Sequence, residues 1–292
     1  MPTVVCAGLI TLDVIYDLGS YPEEGSKVRA GSARLSPGGG AMIAATAVAR
    51  LGGIARLAGA VGDDLFGQFL RDQMIVRGID DALVQTVNGV ATASSAVIVT
   101  ADGERTIVNQ RSDQLVDARL AIDFPDCDIV LADTRCRHLA KDLFEVAQTQ
   151  GKPTVLDGEA PVPQDLLPFV SHLALSEQGL ADFNGQSLAE IADQIKCWAC
   201  VTRGSGPVEV HDASLCVPPK VVPLDTLGAG DVWHGAFSFA LADGFDELDA
   251  VIFANSAAAL FVSCVGEERF PTYKEVSEKL ETDLSALLRT RG

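Results

Sequence analysis

Short, almost wholly apolar runs alternate along this chain with helix-forming segments, and that alternation limits the possible folds more than any other feature. Residues 3–8, 55–61, 128–132, 153–156, 172–175 and 200–203 read as strands, and the near-continuous apolar runs among them suit strands buried on both faces. Helical segments fall between them. Residues 39–51 are Ala-rich, open at Pro37-Gly38-Gly39-Gly40 and stop at Gly52-Gly53. Residues 65–77 close at Gly78, and residues 139–150 form a further helix. Strand followed by helix followed by strand builds a mostly parallel sheet covered on both faces, so the expected fold class is α/β and doubly wound. From residue 230 onward the chain reads as mostly helical.

Two segments break the rhythm. Residues 27–35 alternate small, charged and apolar side chains, and residues 94–100 and 105–109 flank a hairpin turn at Ala101-Asp102-Gly103-Glu104. Neither needs a covering helix. They are expected to form a small antiparallel sheet standing off the main body as a lid. The core domain is then residues 1–12, 38–88 and 113–292, and the β-sheet lid is residues 13–37 and 89–112.

Charge narrows the function classes. Twenty-two Lys and Arg against 40 Asp and Glu leave a formal net charge of −18, which disfavours nucleic acid and anionic membrane surfaces as partners. No run is long and apolar enough to span a bilayer, and Met1-Pro2-Thr3-Val4-Val5 lacks the basic region of a secretory signal. Seven scattered cysteines are an odd number, which suits reduced thiols and a cytoplasmic location. Cys197 and Cys200 spell C-x-x-C inside a strand-like run, without a second pair to complete a zinc site.

Asp225-Thr226-Leu227-Gly228-Ala229-Gly230-Asp231 carries the clearest chemistry. A small-residue loop that opens a helix turns free backbone N–H groups outward, where the helix dipole also favours negative charge. Gly228, Ala229 and Gly230 therefore suit an anion. Asp231 repels an anion, and it makes chemical sense as the group that takes a proton from a hydroxyl attacking a phosphoryl group. The plainer alternative is an N-capping Asp. Gly38 and Gly39 suit close backbone approach to a polyhydroxyl ligand, or simply a tight turn. Asp13 is either an acceptor for sugar hydroxyls at the end of the first strand or a solvated turn residue. There is no G-x-x-x-x-G-K-[ST], no G-x-G-x-x-G after the first strand and no G-x-S-x-G, and His138, His172, His211 and His234 lack metal-ligand spacing.

Together these residues resemble the ribokinase-like (PfkB) carbohydrate kinases. The 225–231 segment with Gly235-Ala236-Phe237 is similar to their C-terminal signature, and Gly38-Gly39 with the Ala-rich helix is similar to the N-terminal one. Gly59-Ala60-Val61-Gly62-Asp63-Asp64, Val201-Thr202-Arg203-Gly204 and Asn255-Ser256-Ala257 follow in family order. The resemblance implies ATP and Mg²⁺ as cosubstrates and phosphorylation of a sugar hydroxyl. It implies Asp231 as catalytic base, with Gly228, Ala229 and Gly230 as the anion hole. Asp13, Gly38 and Gly39 match sugar-binding positions, and Thr202, Gly204 and Asn255 match the nucleotide cleft. The chain departs from the family at Ile43, where an Asn is frequent, at Ser176-Glu177-Gln178-Gly179, which replaces N-x-x-E, and at Leu227. How a metal would be held is therefore unassigned.

Within the family the likeness is greatest to the sulfofructose kinases, on Gly103-Glu104-Arg105, Leu131-Ala132-Asp133 with Arg135, and Val155-Leu156-Asp157-Gly158. That likeness implies a sulfonate held by Lys27, Asn109 and Arg135, a trio that would equally suit a sugar phosphate. The expected activity is thus transfer of the γ-phosphoryl group of ATP to a primary hydroxyl of a ketose, with 6-deoxy-6-sulfofructose or a similar anionic sugar in first place. The alternatives are a ribokinase- or fructokinase-type kinase of a neutral sugar, and a sugar- or nucleotide-binding regulator with impaired catalysis. An exposed lid edge would further allow a homodimer through the lid.

Overall fold

In the computed structural model, residues 1–117, 119, 124, 126–266 and 269–289 are described. The chain opens with β1 (Thr3–Ala7), β2 (Thr11–Asp17), β3 (Ser32–Gly38), α1 (Gly40–Arg50), β4 (Ile54–Gly62), α2 (Leu65–Val76) and β5 (Asp80–Val87). It continues with β6 (Ser94–Val99), β7 (Arg105–Gln110), α3 (Asp113–Val116), β8 (Ile129–Ala132), α4 (Arg137–Thr149), β9 (Thr154–Gly158) and β10 (His172–Ser176). It closes with α5 (Glu177–Ala181), α6 (Leu188–Ile195), β11 (Trp198–Arg203), β12 (Gly206–Val210), β13 (Leu215–Cys216), α7 (Ala229–Ala242), α8 (Glu247–Val262) and α9 (Tyr273–Arg289).

Nine strands form one sheet in the order β13-β12-β11-β10-β9-β8-β1-β4-β5. Every pairing from β11 to β5 is parallel, and β12 and β13 close one edge antiparallel. Alternate side chains explain the two helical layers. Val4 and Cys6 of β1, with Leu57, Leu131 and Val155, pack against Met42, Val48, Trp233, Phe237 and Phe253 of α1, α7 and α8. Val5 and Ala7, with Val130, Ala132 and Leu156, face Leu139, Leu143, Phe144 and Ile191 of α4 and α6. Full burial of one such Leu or Phe contributes about 1.5–3 kcal/mol, which is why these strands are apolar on both faces. The seven cysteines are free thiols, and Cys200 is a buried core residue of β11.

A second sheet of four strands has the order β3-β2-β6-β7. Its outer pairs are antiparallel, but β2 and β6 run parallel, so the expectation of a wholly antiparallel sheet is corrected. The cause lies in the main sheet. β1 and β4 are parallel, as are β4 and β5, and β2 and β6 follow β1 and β5 through short connections. Both therefore leave the body in the same direction.

Asp64 secures the β6 exit. Its side chain caps α2 by accepting from Gly67 N–H at 2.9 Å. It also accepts from Thr92 N–H at 2.9 Å and Thr92 Oγ1 at 2.6 Å. The strand expected at residues 27–35 begins only at Ser32 and runs on to Gly38, while β2 extends past Asp13. No helix is long and apolar enough to cross a membrane among the described residues.

Candidate active site

The C-terminal ends of β1, β8 and β9 meet the N-terminal ends of α1 and α7 beneath the small sheet. The cleft so formed is lined from below by Gly39, Gly40, Ile43, Asp133, Arg135, Asp157, Glu159, Leu227, Gly228 and Asp231. Asp13, Ser95, Val97, Ile107 and Asn109 line it from the four-stranded sheet.

Gly228 begins α7 as its N-cap with φ +81°, a left-handed conformation that an L side chain adopts only under strain. Ala229, Gly230 and Asp231 form the first turn, whose N–H groups have no partners within the helix; that of Ala229 donates to the Thr226 carbonyl at 3.2 Å. Gly39, the N-cap of α1, also has a positive φ of +89°, and a Cβ there would fall on the Leu9 carbonyl oxygen. Two helix N-termini therefore point into one cleft. A Cβ on Gly40 would stand 2.8 Å from Asp231 Oδ1, and one on Gly38 would fall on the Asp13 carboxyl group. The sequence-expected glycines thus make room for two carboxylates as well as for a ligand.

Asp13 sits mid-strand in β2, opposite Ser36 and Ser95, and is not a turn residue. Burial raises its pKa, partly offset by a hydrogen bond from Ser95. Asp231 is pushed up to about 8, by burial and then by Asp157, with His234 pulling the other way and Asp133 and Glu159 adding to the rise. A carboxyl group poised near neutrality is a far stronger base than an ordinary one, and it can still ionise in the working pH range.

Asp133 is raised to about 6 by burial, although three backbone N–H groups oppose the shift. It accepts from Leu9 N–H at 2.8 Å and Arg135 N–H at 2.9 Å, so it ties the β1–β2 connection to the end of β8. His234 Nε2 lies 3.0 Å from Asp157 Oδ1 under the cleft floor. Sequence reasoning assigns no site role to Asp133, Asp157, Glu159 or His234. The signal was there in two apolar strands ending in aspartate, Leu131-Ala132-Asp133 and Val155-Leu156-Asp157.

The structure gathers Asp13, Gly38, Gly39, Asn109, Arg135, Gly228, Ala229, Gly230 and Asp231 around this cleft, but it does not bring Lys27 there. Lys27 lies on an exposed loop ahead of β3, because the register that pairs Asp13 with Ser36 starts the strand at Ser32. Arg135 is in the cleft, but its guanidinium is ion-paired with Glu159 at 2.5 Å and also donates to the Ala160 carbonyl. The nucleotide-side residues are more dispersed. Thr202 is the penultimate residue of β11, its hydroxyl donating to the Leu175 carbonyl at 3.3 Å, and Gly204 has a positive φ of +57° in the following turn. Asn255 is buried in α8, accepting from Trp233 Nε1 at 2.8 Å and donating to the Cys216 carbonyl. Its amide braces α7 against α8 and does not face open space. Glu177, in the segment that departs from N-x-x-E, is paired with Arg203 at 2.7 Å.

Asp225 organises the loop ahead of α7. Its Oδ1 accepts from Leu227 N–H at 2.9 Å and from Arg105 of β7 at 2.8 Å. Its Oδ2 accepts from Arg269 at 2.7 Å, with Arg34 of β3 at 3.9 Å. Arg105 also donates to Thr226 Oγ1 at 2.9 Å, and Arg269 to the Leu227 carbonyl. The Arg269 guanidinium carbon lies 3.7 Å from the Phe261 ring centroid. Among the described residues no group of three His, Cys, Asp or Glu side chains could hold a metal ion.

A B. subtilis ribokinase is 27% identical over 293 residues, covering 96% of this chain and all of that protein. A maize fructokinase is 28% identical over 286 residues, covering 84% of this chain and 88% of its own. A crystal structure from Agrobacterium tumefaciens, of a protein assigned as a ribokinase, superposes with a TM-score of 0.90 at 30% identity, covering 98% of this chain and 99% of its own. The Arabidopsis thaliana ribokinase crystallised with ribose and ATP shares the fold, with a TM-score of 0.78 at 22% identity over 96% of this chain and 98% of its own. Residues 1–272 match the family as a whole, and the chain belongs to the pfkB family carbohydrate kinases.

Proposed function

We propose that this carbohydrate kinase transfers the γ-phosphoryl group of ATP to a primary hydroxyl of a small neutral sugar of the ribose or fructose type. The observation that carries this reading is Asp231 set at the mouth of the Gly228–Gly230 amide loop and facing Asp13 across one cleft. Asp13 would accept hydrogen bonds from sugar hydroxyls, with the backbone at Gly38 and Gly39 close behind. Asp231 would take the hydroxyl proton as that oxygen bonds to the γ-phosphorus. The bond from the γ-phosphorus to the β–γ bridging oxygen breaks, ADP leaves, and the proton later passes from Asp231 to solvent. The loop N–H groups would stabilise the negative charge spreading over the transferred group. ATP is supported by the nucleotide-bound relative and by the helix N-termini, and Thr202, Gly204 and Glu177 lie at the sheet end where its base and ribose would run. Magnesium would enter on the nucleotide phosphates, keeping much of its water. The side chains here form no metal cage, and no step above runs through it.

An anionic ketose such as 6-deoxy-6-sulfofructose is the second reading, supported by Asn109 and Arg135 at the cleft. The neutral sugar is preferred because Arg135 is already paired with Glu159, Lys27 lies elsewhere, and the carboxyl groups of Asp13, Asp133, Asp157 and Glu159 line the cleft with like charge for an anionic ligand. The test is ADP release on a panel of D-ribose, D-fructose, 6-deoxy-6-sulfofructose and sugar phosphates. Turnover highest on a neutral sugar is expected. A preference for the sulfonate that Arg135→Ala abolishes would reverse the order, and silence on the whole panel would favour a binding regulator.

We further propose a homodimer through the small sheet. Val14, Tyr16, Leu35, Ala96, Ile98 and Val108 share the face turned away from the cleft, as the register requires, and Tyr16, Leu35 and Val108 are exposed. An apolar sheet face of this kind is normally covered.

A further inference from the structure

Beneath Asp231 lies a second layer of charge that the reaction scheme above does not use. Asp231 and His234 are three residues apart on α7, so they stand on the same side of the helix, one turn deeper into the body. His234 is 5% exposed. Its Nε2 is bound to Asp157, and its Nδ1 has no hydrogen-bond partner. A cavity of about 10 Å³, room for at most about one water, is lined by both His234 and Asp231, together with Ala7, Gly40, Ala41, Ala44, Leu131, Asp133 and Asp157.

The end of β8 contributes Asp133 to this floor, and the end of β9 contributes Asp157 and Glu159. Asp13 faces it from the small sheet, while α1 offers only Gly40, Ala41 and Ala44. The guanidinium of Arg135 reaches the rim but is engaged by Glu159. Five carboxyl groups thus converge, and among the described residues lining this floor His234 is the group that can carry positive charge below the surface.

We propose that His234, held by Asp157, is a positioning residue for phosphoryl transfer: as a buried imidazolium it supplies the counter-charge that lets Asp231 act as a carboxylate near neutral pH. The inference rests on the reading of Asp231 as the base. Burial alone would favour neutral His234, but the Asp157 charge and hydrogen bond outweigh it and raise the pKa, with Asp231 and Glu159 adding to the effect. The same pairing orients the ring with Nε2 toward Asp157, and His234 borders the small cavity that Asp231 also lines. The ring also packs edge-on to Trp233 at 5.2 Å, which holds it in place from the other side.

The experiment is the pH profile of kcat/KM with ATP and the best sugar of the panel, for the wild type, His234→Gln and Asp231→Asn. The ascending limb should move alkaline by about one unit in His234→Gln, which reads as about a tenfold loss at pH 7 with recovery at high pH. A lower plateau with an unmoved limb would mean a purely structural role and would overturn the proposal. Because His234→Gln could fail to fold, a second measurement uses a chain that keeps His234. ¹⁵N NMR of a His138→Gln, His172→Gln, His211→Gln variant leaves one imidazole to observe. A protonated ring at pH 7 is expected, and a neutral one overturns the proposal. Asp231→Asn separates the two readings. If it is inactive while the His234→Gln limb stays fixed, only this inference fails, whereas near-normal turnover in Asp231→Asn removes the base and the inference with it.

Discussion

At the scale of single residues, the site is a set of carboxyl groups held where water would not put them. Asp231 illustrates what that arrangement costs. Its folded-state pKa of about 8 lies above the ordinary value of 3.8. Between about pH 4 and 8 the folded chain therefore holds a proton that the unfolded chain has released, and stability from this group falls as pH rises through that window. Asp231→Asn should abolish turnover and, at pH 8, raise Tm by about 2 °C or more by relieving the buried charge. Calorimetry of both proteins checks this, and a lower Tm would contradict it. Gly40 acts on the same atom from the other side. Its missing Cβ leaves space 2.8 Å from Asp231 Oδ1, so Gly40→Ala should cut kcat by about tenfold or more while circular dichroism stays unchanged.

At the scale of elements, the chain announces its parts unevenly. The helix read at residues 65–77 from its closing Gly78 runs from Leu65 to Val76, and Asp64, which the reading did not use, proves to be its cap. Asp64→Ala removes that cap together with the Thr92 clamp on the β6 exit, and should cost about 1–2 kcal/mol in urea unfolding. A loss near zero would show that solvent replaces the clamp. The strand containing Asp13 was missed for a physical reason: its partners are Ser36 and Ser95, and no local pattern records an alignment across so many residues. The same distant register moved the neighbouring strand to Ser32–Gly38 and left Lys27 outside it. Alternation in residues 27–35 describes a surface, and only the pairing decides which part of it becomes strand. The 225–231 loop was readable because its chemistry is local. The Asp133, Asp157 and His234 floor was not, because it is assembled from three elements by the winding of the sheet.

At the scale of the whole molecule, a nine-stranded body and a four-stranded sheet share one cleft, and the small sheet's far face is apolar. If that face joins two copies, Val108→Glu should convert a dimer of about 61 kDa, twice the 30.7 kDa chain, into monomers in light scattering. A wild-type protein that is monomeric at micromolar concentration would rule the assembly out. The Asp225 node adds a consequence for traffic through the cleft. Arg105 and Arg34 belong to the small sheet, yet they close on the loop that opens α7. The sheet cannot lift without stripping donors from Asp225 and Thr226, so admission of a ligand and the shape of the amide loop change in one movement. An open molecule would then hold its catalytic loop by Arg269 and the Leu227 turn alone, so ATP waiting in it without sugar would meet a less firmly held site in which water could take the sugar's place.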